Sequence, residues 1–178
     1  MQHTSALNEL ETETPLQARI LIADDDPRIR QLIRRLLEEE KLEWKVCGEA
    51  VDGPDAVAKS VELFPDVVVL DLVMPQMNGL EAGREIIKRF PRMQMLLLTL
   101  QEITPELARA AGKVGFQGAI SKTTGANVVA GIQTLLCGKP FFQISAEPAT
   151  LPEPHGLDCP SSDKGEEKPP SLATTTDS

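Results

Sequence analysis

Asp24, Asp25, Asp71, Thr99 and Lys122 stand out by type and by position. Each closes or directly follows an aliphatic run. Ile20-Leu21-Ile22-Ala23 precedes the first pair, and Val67 to Leu70 precedes Asp71. Met93 to Leu98 precedes Thr99, and Gly115 to Ile120 runs into Ser121-Lys122. If these runs are strands of one parallel sheet, their ends share an edge, and that edge is where open α/β sheets bind ligands. Three carboxylates gathered there repel and raise one another's pKa. A hard divalent cation relieves that repulsion, and an oxygen-only donor set without His or Cys selects Mg2+ over zinc. A hydroxyl and an ammonium facing the cation suit a phosphoryl group, with Lys122 as a point charge and Thr99 as a hydrogen-bond donor. The chemistry is then positioning and charge neutralisation about an in-line displacement. Asp71 is the expected nucleophile and an aspartyl-phosphate the expected product.

The elements that must hold these groups are legible from periodicity. Val67 to Leu70 is β-branched and aliphatic throughout, the pattern of a strand buried on both faces. Met74-Pro75 and Asn78-Gly79 are turn residues, so Asp71 falls where that strand enters a loop. Asp26 and Pro27 read as N-cap and first residue of a helix carrying Ile29, Leu32, Ile33, Leu36 and Leu37 at i, i+3, i+4 spacing. Trp44 to Glu49 reads as a short strand. Asp52-Gly53-Pro54 reads as a turn into a helix with Ala56, Val57, Val61 and Leu63. Gly79 to Phe90 is amphipathic and stopped by Pro91. Thr104-Pro105 opens a further helix, and Val128 to Leu136 makes the last, closed by Gly138 and Pro140. Strand and helix thus alternate five times, which predicts a parallel sheet with right-handed crossovers and helices on both faces.

Composition sets the bounds. The 178 residues are 41% hydrophobic but only 3% aromatic, so the core must be aliphatic. A net charge of −9 gives no electrostatic footprint for gripping a phosphate backbone. Cys47, Cys137 and Cys159 have no metal-ligand spacing and read as reduced thiols, with a cytoplasmic location expected. No apolar run approaches the roughly 18 residues of a membrane span. Residues 1–17 read as a disordered leader. Residues 143–178, rich in Pro, Ser, Thr and charge and without an aromatic, read as a disordered tail.

The motifs Ile20 to Asp26, Asp71-Leu72-Val73-Met74-Pro75-Gln76-Met77-Asn78-Gly79, Leu97-Leu98-Thr99 and Gly118-Ala119-Ile120-Ser121-Lys122 together resemble the receiver domain of two-component response regulators. They cover residues 18–140. The resemblance implies a flavodoxin-like, doubly wound sheet of five parallel strands, order 2-1-3-4-5, with five helices. It implies that Asp71 is the phosphoacceptor, that Asp24, Asp25, Asp71 and the backbone carbonyl of Val73 hold Mg2+, that Thr99 is the switch hydroxyl and that Lys122 pairs with phosphate. Gly138-Lys139-Pro140-Phe141-Phe142 is similar to the branch that follows its receiver with a helix-turn-helix domain. The sequence departs from the family in four places. Ala119 stands where an aromatic is common, Thr123 where proline is, Leu100 where alanine is, and Val73 where a polar residue is.

The expected function is therefore a stand-alone phosphorylation switch. It would take its phosphoryl group from a sensor histidine kinase or phosphotransfer protein and signal through an output protein. No direct nucleic-acid or membrane binding is expected, and homodimerisation on phosphorylation stays open. The alternative is a DNA-binding regulator lacking its helix-turn-helix output domain. A phosphohydrolase with an aspartyl nucleophile is a third class, but such enzymes usually carry an acid two residues after the nucleophile, and here that residue is Val73. The switch is not expected to be an enzyme. Asp52 reads as a turn residue and Asp66 as a strand opener rather than as site groups.

Overall fold

Val67–Asp71 is buried at every position, as a strand covered on both faces must be. In the computed structural model it is the central strand, β3, of a parallel sheet. The structure describes residues 17–39, 44–123 and 126–145. Before β3 come β1 (Ala18–Ala23), α1 (Pro27–Glu39), β2 (Trp44–Ala50) and α2 (Gly53–Leu63). After it come α3 (Gly79–Arg89), β4 (Gln94–Thr99), α4 (Pro105–Val114), β5 (Gly118–Ser121), α5 (Ala126–Leu136) and β6 (Phe141–Phe142). The order across the sheet is β2-β1-β3-β4-β5-β6. The five-stranded 2-1-3-4-5 sheet with its helices is present, and a sixth strand extends it.

The period of two along each strand divides the core. Leu21, Ala23, Val68, Leu70, Met95, Leu97 and Ala119 face one side and pack with Ala56 of α2, Ala82 and Ile86 of α3, and Ala108 and Ala111 of α4. Ile20, Ile22, Val67, Val69, Leu96, Leu98 and Ile120 face the other and pack with Ile33 and Leu37 of α1 and Val128, Ile132 and Leu135 of α5. Each fully buried aliphatic side chain contributes about 1.5–3 kcal/mol. Along α1, Ile33 and Leu37 carry the burial, while Leu32 is 47% exposed.

Capping residues start the helices. Asn78 and Glu81 form a reciprocal capping box on α3, and Thr104 accepts from Leu107 N at 3.2 Å on α4. Asp52, read from sequence as a turn residue, is the N-cap of α2 and accepts from Asp55 N at 2.8 Å. Asp66 opens β3 and its carboxylate also accepts from Arg19 N at 2.7 Å, joining the starts of β1 and β3.

After α5 the chain adds an edge strand that the sequence reading did not include. Gly138 adopts φ 72, a left-handed turn, and the chain then runs parallel to β5. Phe141 pairs with Gly118 and Phe142 with Ala119. Gln143 N donates to Ala119 O at 2.9 Å, and Ser145 N donates to Ile103 O at 3.0 Å. Residues 143–145, assigned from composition to the tail, continue from β6 with backbone hydrogen bonds to β5 and to Ile103 in the loop after β4. Composition missed them because a parallel edge strand needs backbone pairing, not an apolar run. Residues 1–16 and 146–178, the rest of the expected leader and tail, lie outside the described residues, as does Cys159.

Candidate functional site

The strand register brings the five groups together. Ala23 pairs with Leu70, Asp71 with Leu98, and Thr99 with Ser121. The chain therefore leaves β1, β3, β4 and β5 at nearly one level, with Asp24, Asp71, Thr99 and Lys122 at or beside the exits. They line a cavity of about 640 Å3 together with Asp25, Asp26, Ile29, Val73, Leu100 and Gln101.

Asp24 is fully buried, and its Oδ1 accepts from Asp26 N at 3.0 Å. Asp71 is 4% exposed. The Lys122 ammonium sits between them, 2.7 Å from Asp24 Oδ2 and 2.8 Å from Asp71 Oδ2, with its side chain 7% exposed. The Asp24 contact is an ion pair without a well-aligned hydrogen bond, so that buried oxygen keeps unspent acceptor capacity. Asp25 is exposed, yet one oxygen of each of Asp24, Asp25 and Asp71 lies within 4.8 Å of the others. Three carboxylates face one ammonium. That surplus of negative charge, presented by oxygen alone, fits a hard divalent cation.

Burial is the largest influence on the Asp71 carboxyl and pushes its pKa up; Asp24 adds to the rise, and Lys122 opposes it without cancelling it. For Lys122, burial works against the charged form, but Asp24 and Asp71 outweigh it and hold the ammonium above its ordinary pKa. Lys122 is thus a fixed positive charge.

Local backbone contacts set the remaining positions. Lys122 N donates to Thr99 O at 2.7 Å, joining the ends of β4 and β5. Thr99 is 1% exposed and its Oγ1 accepts from Gln101 N at 3.0 Å. Leu72 N donates to Leu98 O, and Gly79 N to Leu72 O, which folds the loop after β3 back on itself. Glycine is required at 79, since a Cβ there would lie 2.2 Å from Asp71 O. Val73 and Leu100 are 64% and 73% exposed at the cavity mouth. Ala119 is fully buried, and the Phe142 ring of β6 packs on the same cluster. An aromatic on a neighbouring strand thus stands beside the position where the resemblance leads one to expect a ring.

Sequence reasoning missed Arg30, Arg34 and Glu49. Arg30 Nη1 donates to Asp24 O at 2.7 Å and to Asp25 O at 3.4 Å, while its Nε meets Glu49 Oε2 at 3.0 Å. Arg34 meets Glu49 Oε1 at 2.8 Å. The only one-dimensional signal was the i, i+4 spacing of two arginines on the flank of α1.

The chain belongs to the response regulator receiver domain family, whose model matches residues 20–132, more than half of its length. Receivers of this family serve phosphorylation-dependent signalling in two-component systems. Among curated relatives, the chain is 37% identical over 107 residues to a protein-glutamate methylesterase/protein-glutamine glutaminase of Pyrococcus abyssi, covering 60% of this chain and 28% of that one. It is 36% identical over 98 residues to chemotaxis protein CheY of Thermotoga maritima, covering 53% of this chain and 80% of that one. Among solved structures it resembles a LuxR-family two-component response regulator from Aurantimonas sp. SI85-9A1, with TM-score 0.66 and 32% identity over 70% of this chain and 89% of that one. The chain spans about 28% of the length of the first of these relatives.

Proposed function

We propose that the protein is a phosphorylation switch of a two-component phosphorelay, with Asp71 as its phosphoacceptor. The observation that carries this reading is the placement of Lys122 Nζ at 2.7 and 2.8 Å from Asp24 and Asp71 at a shared sheet edge. An Asp71 oxygen attacks the phosphorus of a phosphohistidine on a sensor kinase or phosphotransfer protein. The P–N bond breaks, and the imidazole leaves with the electron pair. Lys122 swings its charge onto the phosphoryl oxygens, and Thr99, released from Gln101 N, donates its hydroxyl to one of them. Asp24, Asp25, Asp71 and the Val73 carbonyl would hold Mg2+, whose charge would neutralise the incoming phosphoryl group.

The phosphorylated face then engages an output protein. The reading is of a cytoplasmic, non-enzymatic switch without direct nucleic-acid contact, since the net charge of −9 opposes a phosphate backbone. Among the described residues no helix is long and apolar enough to cross a membrane. The alternative, a DNA-binding regulator, is motivated by the LuxR-family neighbour, and a salt-dependent gel-shift assay separates the two.

Incubation with acetyl phosphate and Mg2+ should add one hydroxylamine-labile phosphoryl group by intact mass, and none to Asp71→Asn. Equal labelling of the two proteins would remove Asp71 from the role.

A further inference from the structure

The exposed Asp25 carboxylate has to stay beside two buried ones although, among the described residues, nothing hydrogen-bonds to its side chain. What fixes it must act through the backbone. Asp24 N donates to Ala50 O at 3.2 Å, which anchors the start of this loop. Arg30 Nη1 donates to its carbonyls, firmly at 2.7 Å for Asp24 and weakly at 3.4 Å for Asp25. The Arg30 side chain is only 12% exposed, and Glu49 of β2 locks it at 3.0 Å. Glu49 is itself held, by Arg34 at 2.8 Å, and its backbone carbonyl accepts from Lys59 of α2. A planar guanidinium can serve carbonyls on one nitrogen and a carboxylate on another, which an ammonium cannot reproduce.

We infer that Arg30 is a positioning residue for the cation site: clamped by Glu49, it holds the Asp24 and Asp25 carbonyls toward α1 so that their carboxylates converge with Asp71. This rests on the Mg2+ reading above. The inference has a distinctive sign. Arg30 is a positive charge close to a cation site, so by electrostatics alone its removal tightens binding. If it positions the ligands, its removal weakens binding.

The test is calorimetric titration of the full chain with Mg2+, and electron paramagnetic resonance with Mn2+, in wild type and variants. Arg30→Met should weaken binding by about tenfold, the low end of the effect seen when the outer partners of metal ligands are removed. Arg30→Lys should restore at most part of the loss. Arg35→Met, which removes an exposed charge of α1 paired with Glu39 and outside the clamp, should stay within about twofold of wild type, well below that same range. Glu49→Gln should also weaken binding, and the loss should persist at about 0.5 M salt, where a purely electrostatic effect is screened. Metal-free melts show whether each variant folds; if Arg30→Met does not, the Glu49→Gln titration decides. Binding by Arg30→Met as tight as wild type or tighter overturns the inference. So does an equal loss in Arg35→Met, or a Glu49→Gln loss that vanishes in salt. If wild type binds neither ion, the site reading itself falls, and this inference with it.

Discussion

Replacing Lys122 with methionine tests the electrostatic heart of the site. The ammonium is the cation in contact with two nearly inaccessible carboxylates, Asp24 at 0% and Asp71 at 5% side-chain exposure. Methionine keeps much of the volume and deletes the charge, leaving both carboxylates uncompensated. Breaking a buried ion pair from one side costs about 3–5 kcal/mol, and at this chain length that is a fall of roughly 6–20 °C in Tm. The assay is urea and thermal unfolding with a chelator present, repeated with Mg2+ added, which should recover part of the loss.

The pH dependence has a defined sign. Asp71 stands above its ordinary pKa of 3.8, burial being the largest cause, so the folded state holds its proton more readily than the unfolded chain. The penalty for ionising it is absent at low pH and grows as pH rises past 3.8. Without Lys122 that penalty is larger. The gap between variant and wild type should therefore narrow on acidification from about pH 7 to about pH 5. In wild type the Lys122 contribution stays constant through neutrality and is lost only above 10.5, where the ammonium deprotonates. A gap under about 1 kcal/mol, the ordinary value of a surface ion pair, would refute the reasoning, as would one that widens with acid.

Other perturbations have equally definite outcomes. Val73 and Gln101 flank the cavity mouth, and the Val73 side chain can neither donate nor accept a hydrogen bond, so the phosphorylated state should last minutes or longer. Val73→Asn should shorten that lifetime by about tenfold, or roughly 1.4 kcal/mol of barrier, in a phosphate-release assay; an unchanged rate would show that other groups control the attacking water. Gly79→Ala puts a methyl 2.2 Å from Asp71 O, a backbone atom that cannot step aside cheaply. It should cost about 1–3 kcal/mol in urea unfolding and slow phosphorylation by acetyl phosphate, since the displaced backbone is that of the proposed phosphoacceptor. Phe142→Ala should cost roughly 2 kcal/mol, about half the value for a fully buried ring. Truncation after Pro140 should lower Tm by several degrees, and truncation after Ser145 should leave it nearly unchanged.

The one-dimensional pattern carried much of this protein. A strand buried on both faces must be apolar throughout, so each aliphatic run declares its own end when a polar residue interrupts it. That is why Asp24, Asp71, Thr99 and Lys122 can be assigned to one edge from the sequence. The start of α4 was legible for a related reason: Thr104 caps an orphan N–H group three residues on, a purely local need, whereas the caps Asn78 and Asp52 read only as turn residues. Alternation of strand and helix then forces a parallel sheet, because only a crossover can return the chain to the same edge. What the pattern left undecided depends on side-chain direction and on pairs distant in sequence. Lys122 could be placed at the edge but not between Asp24 and Asp71, because the register of β1, β3 and β5 fixes that contact. The Arg30–Glu49 clamp joins α1 to β2 across 19 positions, and neither residue differs locally from an ordinary solvated charge. The sixth strand escaped for the complementary reason. Backbone hydrogen bonds leave almost no mark on composition, so only the folded chain, with the Gln117 and Ala119 carbonyls beside β5 and the Ile103 carbonyl in the loop after β4, could recruit residues 141–145.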